Sequence, residues 1–92
     1  MGRPKIPRII CGQPADRCFK PNGIPMTQLE QVLLHPDEFE ALRLVDLQGM
    51  QQQQAAVEMQ VSRQTLANLV KSGRKKMVDC LANGKALMTH KS

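Results

Sequence analysis

The chain has 92 residues, 41% of them hydrophobic, and its only aromatics are two phenylalanines, so it has room for one small domain with an aliphatic, Met-containing core and none for a deep substrate cavity. Its formal net charge is +5, which favours an anionic partner. No apolar run approaches the roughly 20 residues that a bilayer-spanning helix needs, and prolines interrupt the short apolar patch near the N-terminus, so neither a membrane span nor a signal peptide is expected and the chain reads as cytoplasmic.

Residues 1–35 read as a basic arm followed by short extended segments, and residues 36–92 as a DNA-binding domain with a C-terminal extension. Met1–Arg8 is basic and interrupted by Pro4 and Pro7, which predicts an extended arm whose Arg3, Lys5 and Arg8 follow a phosphate backbone. Gly2-Arg3-Pro4 resembles the core of an AT-hook, a minor-groove element. Ile9–Cys11 and Arg17–Phe19 are strand candidates, and Asn22-Gly23 suits a turn with positive φ. Thr27 opens a brief helical turn, and Val32–Leu34 is too short to assign. A helix starts at Pro36, where the missing N–H costs nothing, with Asp37 and Glu38 matched to the positive end of its dipole. Phe39, Leu42 and Val45 are its expected core face. Gly49 ends it, and Met50 anchors the link to the next helix.

Gln52 to Leu69 has the pattern of a helix-turn-helix. Ala55 and Ala56 are small enough for a second helix to approach, Met59 closes the apolar face, and Val61 plugs the turn. Ser62 is placed to cap the next helix, and Leu66 and Leu69 share one buried stripe. Arg63, Gln64 and Asn68 then face outward on the first turns of the second helix. Arginine pairs with guanine and Gln or Asn with adenine in the major groove, because their paired hydrogen-bonding atoms match those base edges. Gln52, Ser62, Thr65, Lys71, Arg74, Lys75 and Lys76 are the expected phosphate contacts of this segment. The competing reading is an ordinary helical hairpin with a polar face. The second helix extends towards Ala82, with Gly73 as a weak point of roughly 1 kcal/mol relative to alanine. Met77, Val78 and Leu81 continue its apolar face, Asn83-Gly84 stops it, and Lys85–Met88 is a closing strand.

Charge is segregated along the chain: residues 1–25 hold five Lys/Arg against Asp16, residues 26–59 hold Arg43 against six acids, and residues 60–92 hold seven Lys/Arg against Asp79. A basic arm and a basic last helix around an acidic middle favour a polyanion, whose counterions are released on contact. Cys11, Cys18 and Cys80 cannot all pair within one chain and are expected to be reduced. The six-residue gap between Cys11 and Cys18 is wider than common zinc loops, although with Cys80, His35 or His90 these residues are the only metal-site candidates. No cofactor is implied, and no nucleophile, paired acid/base set or phosphate loop points to an enzyme.

From Pro36 to Leu81 the chain resembles the C-terminal, promoter-reading domain of bacterial sigma factors, region four. The likeness rests on Asp37-Glu-Phe-Glu-Ala-Leu-Arg-Leu44, Gly49-Met50, Val61-Ser62 with Thr65, and Gly73-Arg-Lys-Lys-Met77. The whole chain also resembles uncharacterised protein family 0251, regarded as predicted DNA-binding proteins. Arg3-Pro4, Phe19-Lys-Pro-Asn-Gly-Ile-Pro25, Glu40-Ala-Leu-Arg-Leu44, Ala55-Ala56, Val61-Ser-Arg63 and Asn83-Gly-Lys-Ala-Leu87 carry that likeness. Two departures from such turns are visible. Gln60 stands where glycine is common, at a position that can require positive φ, and Gln51 stands where Ser or Thr often caps the first helix. The resemblances imply a mainly α fold: a helix-turn-helix of the region-four type with a basic arm and short β-strands. They imply a sequence-specific regulator binding double-stranded DNA, with RNA polymerase and a second copy of the chain as further candidate partners. A nonspecific architectural binder and a metal- or redox-responsive regulator using the cysteines are the alternatives.

Overall fold

A computed structural model describes residues 16–90. The strand expected at Ile9–Cys11 and the arm residues Arg3, Lys5 and Arg8 lie outside them. The described chain is mainly helical with one small sheet. Strand β1 (Asp16–Phe19), a 3₁₀ turn (Met26–Gln28) and β2 (Gln31–Leu34) lead into helix α1 (Pro36–Leu42) and a π-helical turn (Arg43–Leu47). Helices α2 (Gln52–Met59) and α3 (Arg63–Asn83) come next, then strand β3 (Ala86–His90).

The sheet order is β1-β3-β2, with β3 antiparallel to β1 and parallel to β2. Val32–Leu34 could not be assigned from its own residues because its partner is distant in sequence: Val32 pairs with Leu87 and Leu33 with Met88. The sheet thereby ties the segment before Pro36 to the C-terminal extension. Gly84 takes φ +65 at the end of α3, the left-handed cap that lets the chain reverse into β3.

Helix α1 starts at Pro36 as expected, and the Glu38 carboxylate accepts the His35 N–H at 2.9 Å. Its buried face keeps the expected Leu42 and differs elsewhere. Glu38, Ala41 and Leu42 are buried, Phe39 is 37% exposed, and Val45 is only partly buried while Leu44 is in the core. After Leu42 the helix passes into the π turn, in which Gln48 N–H bonds to Arg43 C=O at 2.9 Å and Leu44 is buried in the core.

The core is built from Leu34, Ala41, Leu42, Leu44, Ala55, Ala56, Leu66 and Val70, with Met50, Met59, Val61 and Leu69 packed against it. Ala55 and Leu66 are fully excluded from solvent, which is the close helix crossing that the small residues of α2 predict. Gly73, expected to be a weak point, has a packing role. A Cβ there would lie 2.8 Å from Leu42 Cδ1 and 3.1 Å from Leu42 Cγ, so α1 approaches α3 only because that carbon is absent. The extension of the apolar face past Gly73 is corrected too. Met77, Val78 and Leu81 are 40%, 61% and 83% exposed, while the inward stripe of α3 runs through Leu66, Val70, Gly73 and Cys80.

One buried polar cluster crosses this core edge. Glu38 accepts from the Lys76 ammonium at 2.7 Å and from the Ser72 hydroxyl, and Lys76 also donates to the Leu33 carbonyl at 2.9 Å. Burial pushes the Glu38 carboxyl up, but the hydrogen bonds from Lys76, Ser72 and the His35 N–H outweigh it and hold the group below its ordinary value of 4.5. Asp46 is likewise held low by Arg74, and Asp79 by Lys85. A depressed folded-state pKa stabilises the fold above the unfolded value and is lost as pH falls through the folded one. The denaturation midpoint should therefore be level down to about pH 5 and fall below it, and a Glu38→Gln variant should show a flatter acid limb in pH-resolved urea titrations.

Candidate nucleic-acid interface

The α2–α3 junction is built by three local events. Gln51 takes extended backbone before α2 and makes no side-chain cap, so that the helix start relies on packing. After Met59 the chain turns through Gln60 at φ 59 and ψ 43, the left-handed conformation anticipated from the missing glycine. Val61 N–H then bonds back to the Ala56 carbonyl at 3.0 Å, and the Val61 side chain packs on the core. Ser62 closes the turn: its Oγ accepts the Thr65 N–H at 3.0 Å and donates to Thr65 Oγ1 at 2.9 Å.

This cap fixes the rotation of α3. With Leu66 and Val70 inward, Gln64 and Asn68 are exposed on the opposite side, and Arg63 is exposed at the first position of the helix. Gln64 Nε2 donates to Asn68 Oδ1 at 3.1 Å, so the two amides lie along one line of the helix and retain further donors and acceptors. Gln52 at the start of α2 shares a shallow polar concavity with Arg63, Gln64 and Ala67. The structure thus brings together Gln52, Ser62, Arg63, Gln64, Thr65 and Asn68.

The basic residues expected on phosphates divide into two groups. Lys71 and Lys75 are exposed and succeed Gln64 and Asn68 at a spacing of seven, on the same helix stripe. Among the described residues neither forms an ion pair, and the same holds for Arg63. Arg74 instead grips Asp46 with two bonds of 3.0 and 2.6 Å, and Lys76 is turned into the Glu38 cluster. The acidic middle of the sequence therefore neutralises the flank and underside of α3 and leaves its outward stripe positive. Sequence spacing could not separate Lys75 from Lys76, because only the packing of α1 decides which of two adjacent lysines has a carboxylate beneath it.

No group of three or more His, Cys, Asp or Glu among the described residues is arranged to hold a metal ion. Cys80 is buried with a free thiol, and desolvation pushes its pKa up, away from the reactive thiolate. Cys18 is disulfide-bonded, which corrects the expectation of a reduced residue there, and Cys11 lies outside the described residues. No helix of the described residues is long and apolar enough to cross a membrane.

Residues 1–92 match a family model described as protein of unknown function DUF134. The UPF0251 protein of Aeromonas salmonicida (strain A449) is 72% identical over 92 residues, covering all of this chain and 90% of that protein. A UPF0251 protein of Vibrio cholerae serotype O1 (strain ATCC 39315 / El Tor Inaba N16961) is 68% identical over 87 residues, 95% of this chain and 89% of that one. The UPF0251 protein of Prosthecochloris aestuarii (strain DSM 271 / SK 413) is 46% identical over 95% of this chain, which spans 56% of its length. No solved structure matches the chain.

Proposed function

We infer that this chain, which belongs to the family described as protein of unknown function DUF134, binds double-stranded DNA sequence-specifically through α2, the Gln60 turn and the first turns of α3. The observation that carries this reading is the outward stripe of α3. Gln64 and Asn68 occupy its N-terminal end, with Lys71 and Lys75 behind them and Arg63 exposed at the helix start beside them, and neither lysine nor Arg63 forms an ion pair among the described residues. A helix entering the major groove by its N-terminal end offers those three side chains to base edges and leaves the two lysines at phosphate level. Ser62 and Thr65 sit at the helix start, where backbone N–H groups and the dipole favour a phosphate. This arrangement supports a helix-turn-helix of the region-four type and, with it, a role in transcriptional regulation.

Selection from a random duplex library tests the reading. Enrichment of a defined motif, bound well above a scrambled duplex at the same salt, is the expected result. Equal affinity for all duplexes would assign the stripe to architectural binding, and no affinity at low salt would remove DNA as the partner.

Lys71 and Lys75 have a separate expectation. Each phosphate contact contributes about 0.9 to the slope of log affinity against log salt. A Lys71→Ala, Lys75→Ala variant should lower that slope by about 1.8 on cognate and scrambled duplexes alike. Lys76→Ala, with its ammonium engaged by Glu38, should leave the slope unchanged and instead lower stability. Fluorescence anisotropy across a salt series reads the first effect and thermal melting the second.

A further inference from the structure

Between the sheet, α1, the π turn and the C-terminal half of α3 lies an open apolar cavity of about 860 Å³. That volume falls among the roughly 300–1,000 Å³ of small-molecule pockets, although the length of the chain argues against such a space. Phe19, Leu34, Leu42, Met77, Leu81 and Leu87 form much of its wall. We propose that this cavity binds a fatty-acid carboxylate, with the alkyl tail against the leucines and the head between Thr89 and Arg17.

Thr89 marks the head end. It lines the cavity and is only 7% exposed, yet its hydroxyl has no hydrogen-bond partner among the described residues. Buried hydroxyls are nearly always satisfied, so one left open at a cavity wall is a place for a ligand oxygen.

Strand register supplies the positive charge. Thr89 pairs with Arg17 on one side and with Leu34 on the other. Residues paired across neighbouring strands carry their side chains on one face, with Cβ atoms about 4.5–5.5 Å apart. Leu34 lines the cavity, and so do Phe19 and Leu87, the pair two positions along. Arg17 therefore stands on the cavity face of the sheet, beside the open hydroxyl. It is exposed and forms no ion pair among the described residues. A guanidinium next to a hydroxyl can engage both oxygens of a carboxylate.

The other charges around the cavity also favour an anion. Arg43 is neutralised by Glu40, Asp46 by Arg74 and Lys85 by Asp79. Lys20, just past the end of β1, donates to the Ile24 and Pro21 carbonyls, which leave its charge uncompensated. Of these charges only Arg17 and Lys20 stay unneutralised, and both are positive. The wall selects the tail. A peptide would bring an N–H and a C=O with almost every residue, and leucine and methionine side chains satisfy neither, whereas an alkyl chain needs no hydrogen bond.

Calorimetric titration of the full chain with decanoate, below its micelle concentration and without DNA, is the test. Saturable one-to-one uptake is the expected result. Decan-1-ol, with the same tail and no charge, should bind about 10- to 150-fold more weakly, the loss expected when a charged hydrogen-bonding partner is removed. Arg17→Gln should weaken decanoate by a similar factor and leave decan-1-ol unchanged. Thr89→Val keeps the side-chain shape without the hydroxyl and should weaken decanoate about 2- to 10-fold. It should not lower the melting temperature, because no hydrogen bond within the described residues is lost; a purely structural hydroxyl would show the opposite pattern. No uptake of decanoate, equal affinity for decan-1-ol, or unchanged affinity in either variant overturns the proposal. Adsorption to phosphatidylglycerol vesicles without uptake of free decanoate overturns it as well and makes the face a membrane contact. The site does not depend on the proposed DNA reading, and a titration without DNA fails or succeeds independently of it.

Discussion

Replacing Arg63 by alanine should weaken binding to the selected duplex by about 1–3 kcal/mol, roughly 5- to 150-fold, and relax preference at one base pair. The side chain is exposed and makes no ion pair among the described residues, so its removal should hardly change the melting temperature. This separation makes the experiment decisive. A loss on the cognate duplex alone places Arg63 on a base, an equal loss on cognate and scrambled duplexes places it on phosphate, and no loss on either takes it out of the interface. Gln64 and Asn68 should behave as a coupled pair, since each holds the other's amide in place. Their single alanine variants are therefore expected to be non-additive in a double-mutant cycle.

Truncating Leu66 to alanine should have the largest effect on the fold, about 2–5 kcal/mol, a substantial part of the total stability expected for a domain of this size. Leu66 is completely buried and belongs to the same cluster as Ala55, Ala56 and Val70. A cavity at that point loosens the crossing of α2 and α3, and it therefore disturbs the proposed reading stripe without touching it. Chemical denaturation should show a lower midpoint. DNA affinity measured at a temperature where the variant remains folded should fall less than for Arg63→Ala. A midpoint shift below about 1 kcal/mol would mean that the helix crossing tolerates the cavity by collapse.

The junction between α2 and α3 was legible in the residues because its determinants are local. The small pair Ala55-Ala56, the cap at Ser62 and the left-handed demand on Gln60 each act within a few positions of the chain. All three take the form the sequence predicts. The start of α1 at Pro36 and the stop at Asn83-Gly84 were readable for the same reason. Periodicity carried less far. In α1 Phe39 is left 37% exposed while its neighbour Glu38 is buried, and past Gly73 Met77, Val78 and Leu81 are exposed.

Only the tertiary structure decided the rest. Strand β2 exists because β3, more than fifty positions later, supplies its hydrogen-bond partners. Gly73 changed from a liability into a contact because α1 lies against it. Arg74, Lys75 and Lys76 are adjacent and chemically alike, and the sequence treats them as one cluster. In the fold, Asp46 takes the first, Glu38 takes the last, and solvent keeps the middle one. An ion pair is set by distance in space, and where a carboxylate sits relative to a helix face depends on how the helices pack. The sequence by itself therefore determined that a basic helix succeeds a capped turn, and the packing of α1 determined which of its charges remain available to a partner.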